Sequence, residues 1–167
     1  MDAELNNKIK ERQIMINSLK NDEYINVNLF GKEKSVRVFC TGDNCFDESG
    51  NDKEDGFELN QEELDVLNWF LENVRIEDYK QQILDYCKKT YYQWKTEEEP
   101  IGIDDVENEI NITAIAINVT EHWQSKDGLV YPEISFFGDC KCDEEGGICI
   151  GFRDKKFLGI MSQDWTL

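Results

Sequence analysis

The sequence YINVNLFGKEKSVRVFC at residues 24–40 predicts the first part of a sheet. Apolar residues alternate with polar ones on both sides of a short connection, which is typical of half-buried β-strands. The alternating apolar positions are Ile25, Val27, Leu29, Val36, Val38 and Cys40. The connection, residues 31–34, contains the glycine that a short hairpin loop needs. The stretch therefore predicts a β-hairpin with strands at 24–30 and 35–40.

Helices are predicted on both sides of this hairpin. Asn60, followed three residues later by Glu63, forms a capping box, and Leu59 can pack against Leu64 as a hydrophobic staple. Apolar residues then recur at helical spacing through two consecutive helices within residues 60–95. A weaker pattern predicts a peripheral amphipathic helix within residues 1–21.

Residues 110–167 predict about four further strands. Residues 112–123 are rich in β-branched side chains, and Asp127-Gly128 is a turn signal that returns the chain along residues 130–137. Another strand pair surrounds a turn at residues 154–155. The acidic stretch at 96–110 is interpreted as a surface linker. Because helices and hairpins are segregated, we expect a single α+β domain (1–167) with two central helices packed on an antiparallel sheet.

Composition restricts the classes of partner. The 167 residues include 36 acidic and 18 basic side chains, so the formal net charge is −18, while 40% of the residues are hydrophobic. This apolar content argues against disorder, and the negative charge disfavours binding to nucleic acid or to anionic lipid. No apolar run approaches the ~20 residues that span a bilayer, and the start of the chain lacks the apolar core of a signal peptide. We therefore expect a cytoplasmic protein with no nucleic-acid or membrane partner.

Motifs for common enzyme chemistry are missing from the sequence. His122 is the only histidine, and neither a P-loop nor a G-x-G-x-x-G pattern occurs. We interpret His122 as a structural residue, because no serine elbow or matching cysteine signature accompanies it. The sequence therefore predicts a protein that is not an enzyme, with no catalytic residues and no cofactor.

Two metal sites are minor alternatives. Six cysteines in a chain without an export signal are expected to be reduced thiols, and the C-x-x-C spacing of a zinc knuckle is missing. The candidate zinc ligands would be Cys140, Cys142 and Cys149, with Cys40 or Cys45 as a fourth. The second alternative is a calcium site: residues 47–58 have the length of a calcium loop, but Asp52 stands where that loop needs glycine.

An acidic cluster lies in the predicted connection between two C-terminal strands: Asp139, Asp143, Glu144 and Glu145. Carboxylates this close in sequence can form an acid–base pair or bind a hard cation, which leaves a small metal-dependent hydrolase as an alternative function. A charged turn is the simpler interpretation.

The same region carries a family resemblance. Residues 136–150 and 161–167 resemble the ending of a bacterial family of unknown function, in which a strand leads into a Trp-Asp-x-Glu-His-Gly turn, a strand pair and a closing Gly-x-Gln-Asp. The stretches Leu29-Phe30-Gly31-Lys32 and Leu59 to Asn73, and the pair Tyr91-Tyr92, are similar to it in the same order.

This resemblance implies an α+β bacterial cytosolic protein, with some relatives similar to immunity proteins encoded beside toxins. It transfers no catalytic residues. Cys142 stands where the family pattern has Trp, and Gly146 stands where it has His, so a function that depends on that imidazole would be missing here.

Charge and resemblance together favour a binding protein. Toxin domains that cut nucleic acid are basic, so an acidic inhibitor can occupy the same surface. We therefore expect a basic protein partner and an immunity function. An alternative is a homo-oligomeric scaffold that uses Trp94, Trp123 or Trp165 as exposed anchors. The predicted partner-binding residues are Asp143, Glu144, Glu145 and Asp164, with Glu97, Glu98 and Glu99 as a second patch.

Overall fold

The computed structural model describes residues 3–91, 102–120 and 128–166. Within these ranges three α-helices, a one-turn helix and six strands follow one another. They are α1 (Ala3–Asn17), β1 (Tyr24–Leu29), β2 (Lys32–Cys40), α2 (Gln61–Asn73), α3 (Lys80–Tyr91), α4 (Val106–Glu109), β3 (Ile110–Ile117), β4 (Ile134–Cys140), β5 (Asp143–Arg153) and β6 (Lys156–Met161). No helix in these ranges is both long and apolar enough to cross a membrane.

The six strands form one sheet in chain order, β1 to β6. Neighbouring strands are antiparallel except β2 and β3, which are parallel. A parallel pair needs a long crossover, and α2 and α3 lie in the connection between these two strands. The predicted α+β fold class is confirmed, and the parallel pair is an addition to the antiparallel sheet that the sequence predicts.

The β1–β2 hairpin has a tighter turn than the sequence suggests. Leu29 pairs directly with Lys32, so the turn consists of Phe30 and Gly31, with φ angles of 53° and 80°. Positive φ at both central residues is the turn geometry that matches strand twist. The Asn28 side chain supports the turn by accepting a hydrogen bond from the Gly31 N–H at 3.0 Å. The predicted loop at 31–34 is therefore too long, because residues 32–34 belong to β2.

The main core lies between one face of the sheet and the helices. Phe152, which is 1% exposed, is its aromatic centre. Its ring lies 5.6 Å from Phe70 of α2, 5.2 Å from Tyr79 and 5.8 Å from Phe157, measured between centroids. These contacts attach the helices to β5 and β6. The predicted inward positions of the first hairpin, residues 25, 27, 29, 36, 38 and 40, are buried as expected.

The start of α2 has the predicted capping box. The Asn60 side chain accepts from the Glu63 N–H at 2.9 Å, and the Glu63 carboxylate accepts from the Asn60 N–H at 2.9 Å. Glu63 is fully buried and also accepts from the Asn44 amide at 2.6 Å. This third contact ties the loop at 41–60 to the helix. In that loop Asp47 accepts from the backbone N–H groups of Ser49 and Asn51.

The C-terminal segment covers the opposite face of β5. Trp165 is 5% exposed and donates from Nε1 to the Val130 oxygen at 2.9 Å. Gly151 permits this packing, because a Cβ there would lie 2.9 Å from the Trp165 ring and 2.7 Å from Pro132. Pro132 precedes β4 and lies in the connection 118–133, of which residues 121–127 are outside the described ranges.

Candidate functional site

The β4–β5 hairpin places the acidic cluster at one end of the sheet. Its turn is only Lys141-Cys142, because Cys140 pairs with Asp143. Asp139, Glu144 and Glu145 are exposed. Asp143 is half-buried and accepts from the Gly146 N–H at 2.8 Å.

A second acidic segment meets this hairpin. The one-turn helix α4 leads into β3, and the carbonyl of its last residue, Glu109, accepts from the Lys141 N–H at 2.9 Å. Residues 102–111 and 138–147 together contain one basic residue, Lys141. We call their carboxylates the acidic end: Asp104, Asp105, Glu107, Glu109, Asp139, Asp143, Glu144 and Glu145.

The carboxylates of the acidic end do not converge on a common point. In the described ranges, only one group of three potential ligands has its atoms within 4.8 Å of one another, and it consists of thiols. Cavities of about 380, 270 and 470 Å³ lie on the surface; Glu107 of the acidic end lines the second, and no carboxylate from residues 139–145 lines any of these three. The carboxylates of Asp139, Glu144 and Glu145 are therefore presented at the surface.

The thiols lie buried beneath the acidic end. They belong to Cys87 of α3, Cys140 at the end of β4 and Cys142 in the turn. Cys140 Sγ lies 3.9 Å from Cys87 Sγ, and hydrogen bonds with the Cys142 and Cys87 thiols lower the pKa of Cys140. The backbone N–H groups of Cys142 and Asp143 contribute in the same direction. The hydrogen bond with Cys140 in turn raises the pKa of both Cys87 and Cys142.

The predicted zinc ligands are therefore only partly brought together. Cys149 is not in the group, because it alternates with Ile148 and Ile150, which face the helices. It pairs with Phe137 instead, and burial raises its pKa to about 12. Cys40 and Cys45 lie with Glu63, at the other end of the sheet, so the third member of the group is Cys87.

The predicted partner-binding residues fall into three groups. Asp143, Glu144 and Glu145 belong to the acidic end. Asp164 is exposed beside Gln163, whose amide donates to the Gly138 oxygen of the same hairpin at 2.5 Å. Glu97, Glu98 and Glu99 lie outside the described residues.

Two further expectations concern aromatic residues and histidine. Trp165 is buried, so its predicted role as an exposed anchor is wrong. Trp94, Trp123 and His122 lie outside the described residues.

Sequence reasoning missed two contributors to this site. The carboxylates of 104–109 were expected in a linker, and no sequence signal connects them to the hairpin some 30 residues later. Cys87 likewise lies 53 positions before Cys140 and shares no motif with it.

Comparison with known proteins identifies a family. A family model, that of a domain of unknown function (DUF6985), matches residues 9–167, which is nearly the whole chain. No curated protein and no solved structure matches the chain.

Proposed function

The chain belongs to the DUF6985 family, and we propose that this member is a cytoplasmic binding protein whose acidic end docks onto a basic protein partner. We further propose that the protein is bacterial, that its partner is a toxin or nuclease domain, and that it acts as the immunity protein. The resemblance of its C-terminal segments to a family with immunity-like members supports this choice of partner.

The observation that carries the proposal is the concentration of charge at the acidic end. Eight carboxylates come from two segments that meet at one end of the sheet, and the basic side chains beside them include Lys141 of the hairpin and Lys34 of β2, which donates to the Asn111 side chain. An excess of charge of one sign produces a field that attracts an opposite patch and accelerates association. A nuclease surface that holds phosphates is such a patch. Exposed carboxylates can cover it without a cavity.

Capture from lysate with matched variants tests this function. The end triple variant, Asp139→Asn/Glu144→Gln/Glu145→Gln, neutralises three exposed carboxylates of the acidic end. The loop triple variant, Glu48→Gln/Glu54→Gln/Asp55→Asn, removes the same charge from the exposed loop at 41–60. That loop begins where β2 and β3 end, because the Thr41 N–H donates to the Ile117 oxygen, whereas the acidic end lies where β3 begins. The strand of 8 residues separates the two sites by roughly 25 Å.

Tagged wild-type chain and both variants are incubated with lysate of the native host, and bound proteins are identified by mass spectrometry. We expect wild type and the loop triple variant to retain one stoichiometric basic protein that high salt releases, and the end triple variant to lose it. Equal retention by both variants would refute the assignment of the surface. A retained partner that is neutral or acidic would refute the electrostatic basis.

A further inference from the structure

The three thiols beneath the acidic end have the arrangement of a metal site. Cys87, Cys140 and Cys142 place their Sγ atoms within 4.8 Å of one another, and the Cys87–Cys140 separation is 3.9 Å. A tetrahedral zinc ion with Zn–S bonds of about 2.3 Å holds its sulfur ligands about 3.8 Å apart. The Cys87–Cys140 separation is also nearly twice the S–S bond length of a disulfide.

The surroundings hold the sulfur atoms in place. The backbone N–H groups of Cys142 and Asp143, from the same hairpin, hydrogen-bond to Cys140 Sγ. Hydrogen bonds of this kind orient a metal ligand and stabilise its negative charge. The side chains of Cys87, Cys140 and Cys142 are 0%, 2% and 7% exposed, which matches a closed structural site.

A fourth donor lies beside the group. Glu109 Oε2 is 3.8 Å from Cys142 Sγ but does not lie within 4.8 Å of all three sulfur atoms, so its carboxylate has to turn toward the group to share an ion. The Glu109 backbone is held against the turn by its hydrogen bond from Lys141. Three sulfurs and one carboxylate oxygen form a donor set that selects zinc over calcium or magnesium, because thiolates are soft ligands.

We propose that Cys87, Cys140 and Cys142 bind a structural zinc ion, with Glu109 as the fourth ligand. The ion would fasten α3 and the end of α4 to the β4–β5 hairpin and so fix the geometry of the acidic end. Cys140 and Cys142 belong to one hairpin and Cys87 comes from α3, so the ion would link two distant parts of the chain rather than form a local knuckle.

Zinc titration of the reduced full-length protein tests this inference. The chain is stripped with a chelator, returned to a reducing buffer free of chelator, and titrated with zinc against a chromophoric competitor. We expect one zinc per chain with a nanomolar or tighter dissociation constant. Cobalt added instead of zinc should produce a thiolate-to-metal charge-transfer band. A dissociation constant weaker than about micromolar, or cobalt binding without that band, would overturn the proposal.

Variants separate the site from general effects of cysteine loss. Cys142→Ala and Cys87→Ala should each weaken zinc binding at least about a hundredfold, while Cys149→Ala removes an equally buried thiol and should leave it unchanged. Circular dichroism checks that each variant is folded, and Cys142→Ala lies in a turn, where truncation perturbs the core least. Equal loss in Cys149→Ala would overturn the three-thiol assignment. Glu109→Gln should weaken binding about tenfold, and an unchanged affinity would overturn the role of Glu109.

This test is independent of the proposed binding function. It uses no partner, and zinc binding can fail while the end triple variant still loses its basic protein, or the reverse.

Discussion

Glu63 provides a stringent test of how the loop at 41–60 and α2 are held together. Replacing Glu63 with alanine removes an acceptor that is fully buried and that bonds the Asn60 N–H at 2.9 Å and the Asn44 amide at 2.6 Å. A donor that loses its partner on removal of the acceptor costs about 1–3 kcal/mol, and both donors would lose theirs. Removal of Glu63 Oε2, which is buried without a hydrogen-bond partner, offsets part of the loss. We therefore expect Glu63→Ala to lower the free energy of unfolding by about 2–4 kcal/mol.

Glu63→Gln is the matched control. Glutamine keeps an oxygen at the same position and is itself a capping-box residue, so the loss should stay below about 1 kcal/mol. Urea unfolding followed by tryptophan fluorescence measures both variants. With a denaturant slope of about 2 kcal/mol per molar, Glu63→Ala should lower the midpoint by about 1–2 M. A midpoint within about 0.25 M of wild type, or equal losses in the two variants, would refute the reasoning.

Three further predictions concern glycine geometry, a buried thiol and the aromatic centre. Gly147→Ala should cost about 2–4 kcal/mol in urea unfolding, because φ is +64° and a Cβ would meet the Gln163 amide and a backbone oxygen at 2.6 Å. Gly50→Ala, with φ +81° and nothing within 4 Å, should cost only the strain of about 1 kcal/mol, and equal costs would contradict the predicted clash. Burial raises the pKa of Cys149 from 9.0 to about 12, so the unfolded thiol ionises first and stability falls as pH rises above 9. Relative to Cys149→Ala, wild type should lose about 1.4 kcal/mol per pH unit there, and parallel pH profiles would exclude a buried neutral thiol. Phe152→Ala should cost about 3–5 kcal/mol by the same unfolding assay, and a loss below about 1 kcal/mol would mean that this ring is not the centre of the core.

Local patterns predicted much of the fold. Strict alternation identified the inward faces of β1 and β2, and the Asn60/Glu63 spacing identified the start of α2, because both signals lie within a few residues. The Phe30-Gly31 turn escaped prediction, since a bulky residue with positive φ is uncommon and the glycine suggested a longer loop.

Long-range pairing could not be predicted in the same way. No local pattern shows that β2 pairs with β3, about 70 residues later, in parallel. The acidic end and the thiol group depend on this topology and on the position of α3, so their members from 104–109 and Cys87 were missed. The absence of Cys149 from the thiol group, by contrast, could have been predicted from the sequence, because Cys149 alternates with Ile148 and Ile150 along the strand and therefore faces the other side of the sheet.

The association rate of the captured basic partner tests the central claim most directly. Stopped-flow mixing compares wild type, the end triple variant and the loop triple variant at ionic strengths of about 0.01 M and about 0.15 M. Three charges at contact with a basic patch should accelerate association about three- to tenfold at the lower ionic strength. We predict that the end triple variant associates more slowly by this factor and with a flatter salt dependence, while the loop triple variant stays within about twofold of wild type. Equal rates for the two variants would contradict a docking surface at the acidic end.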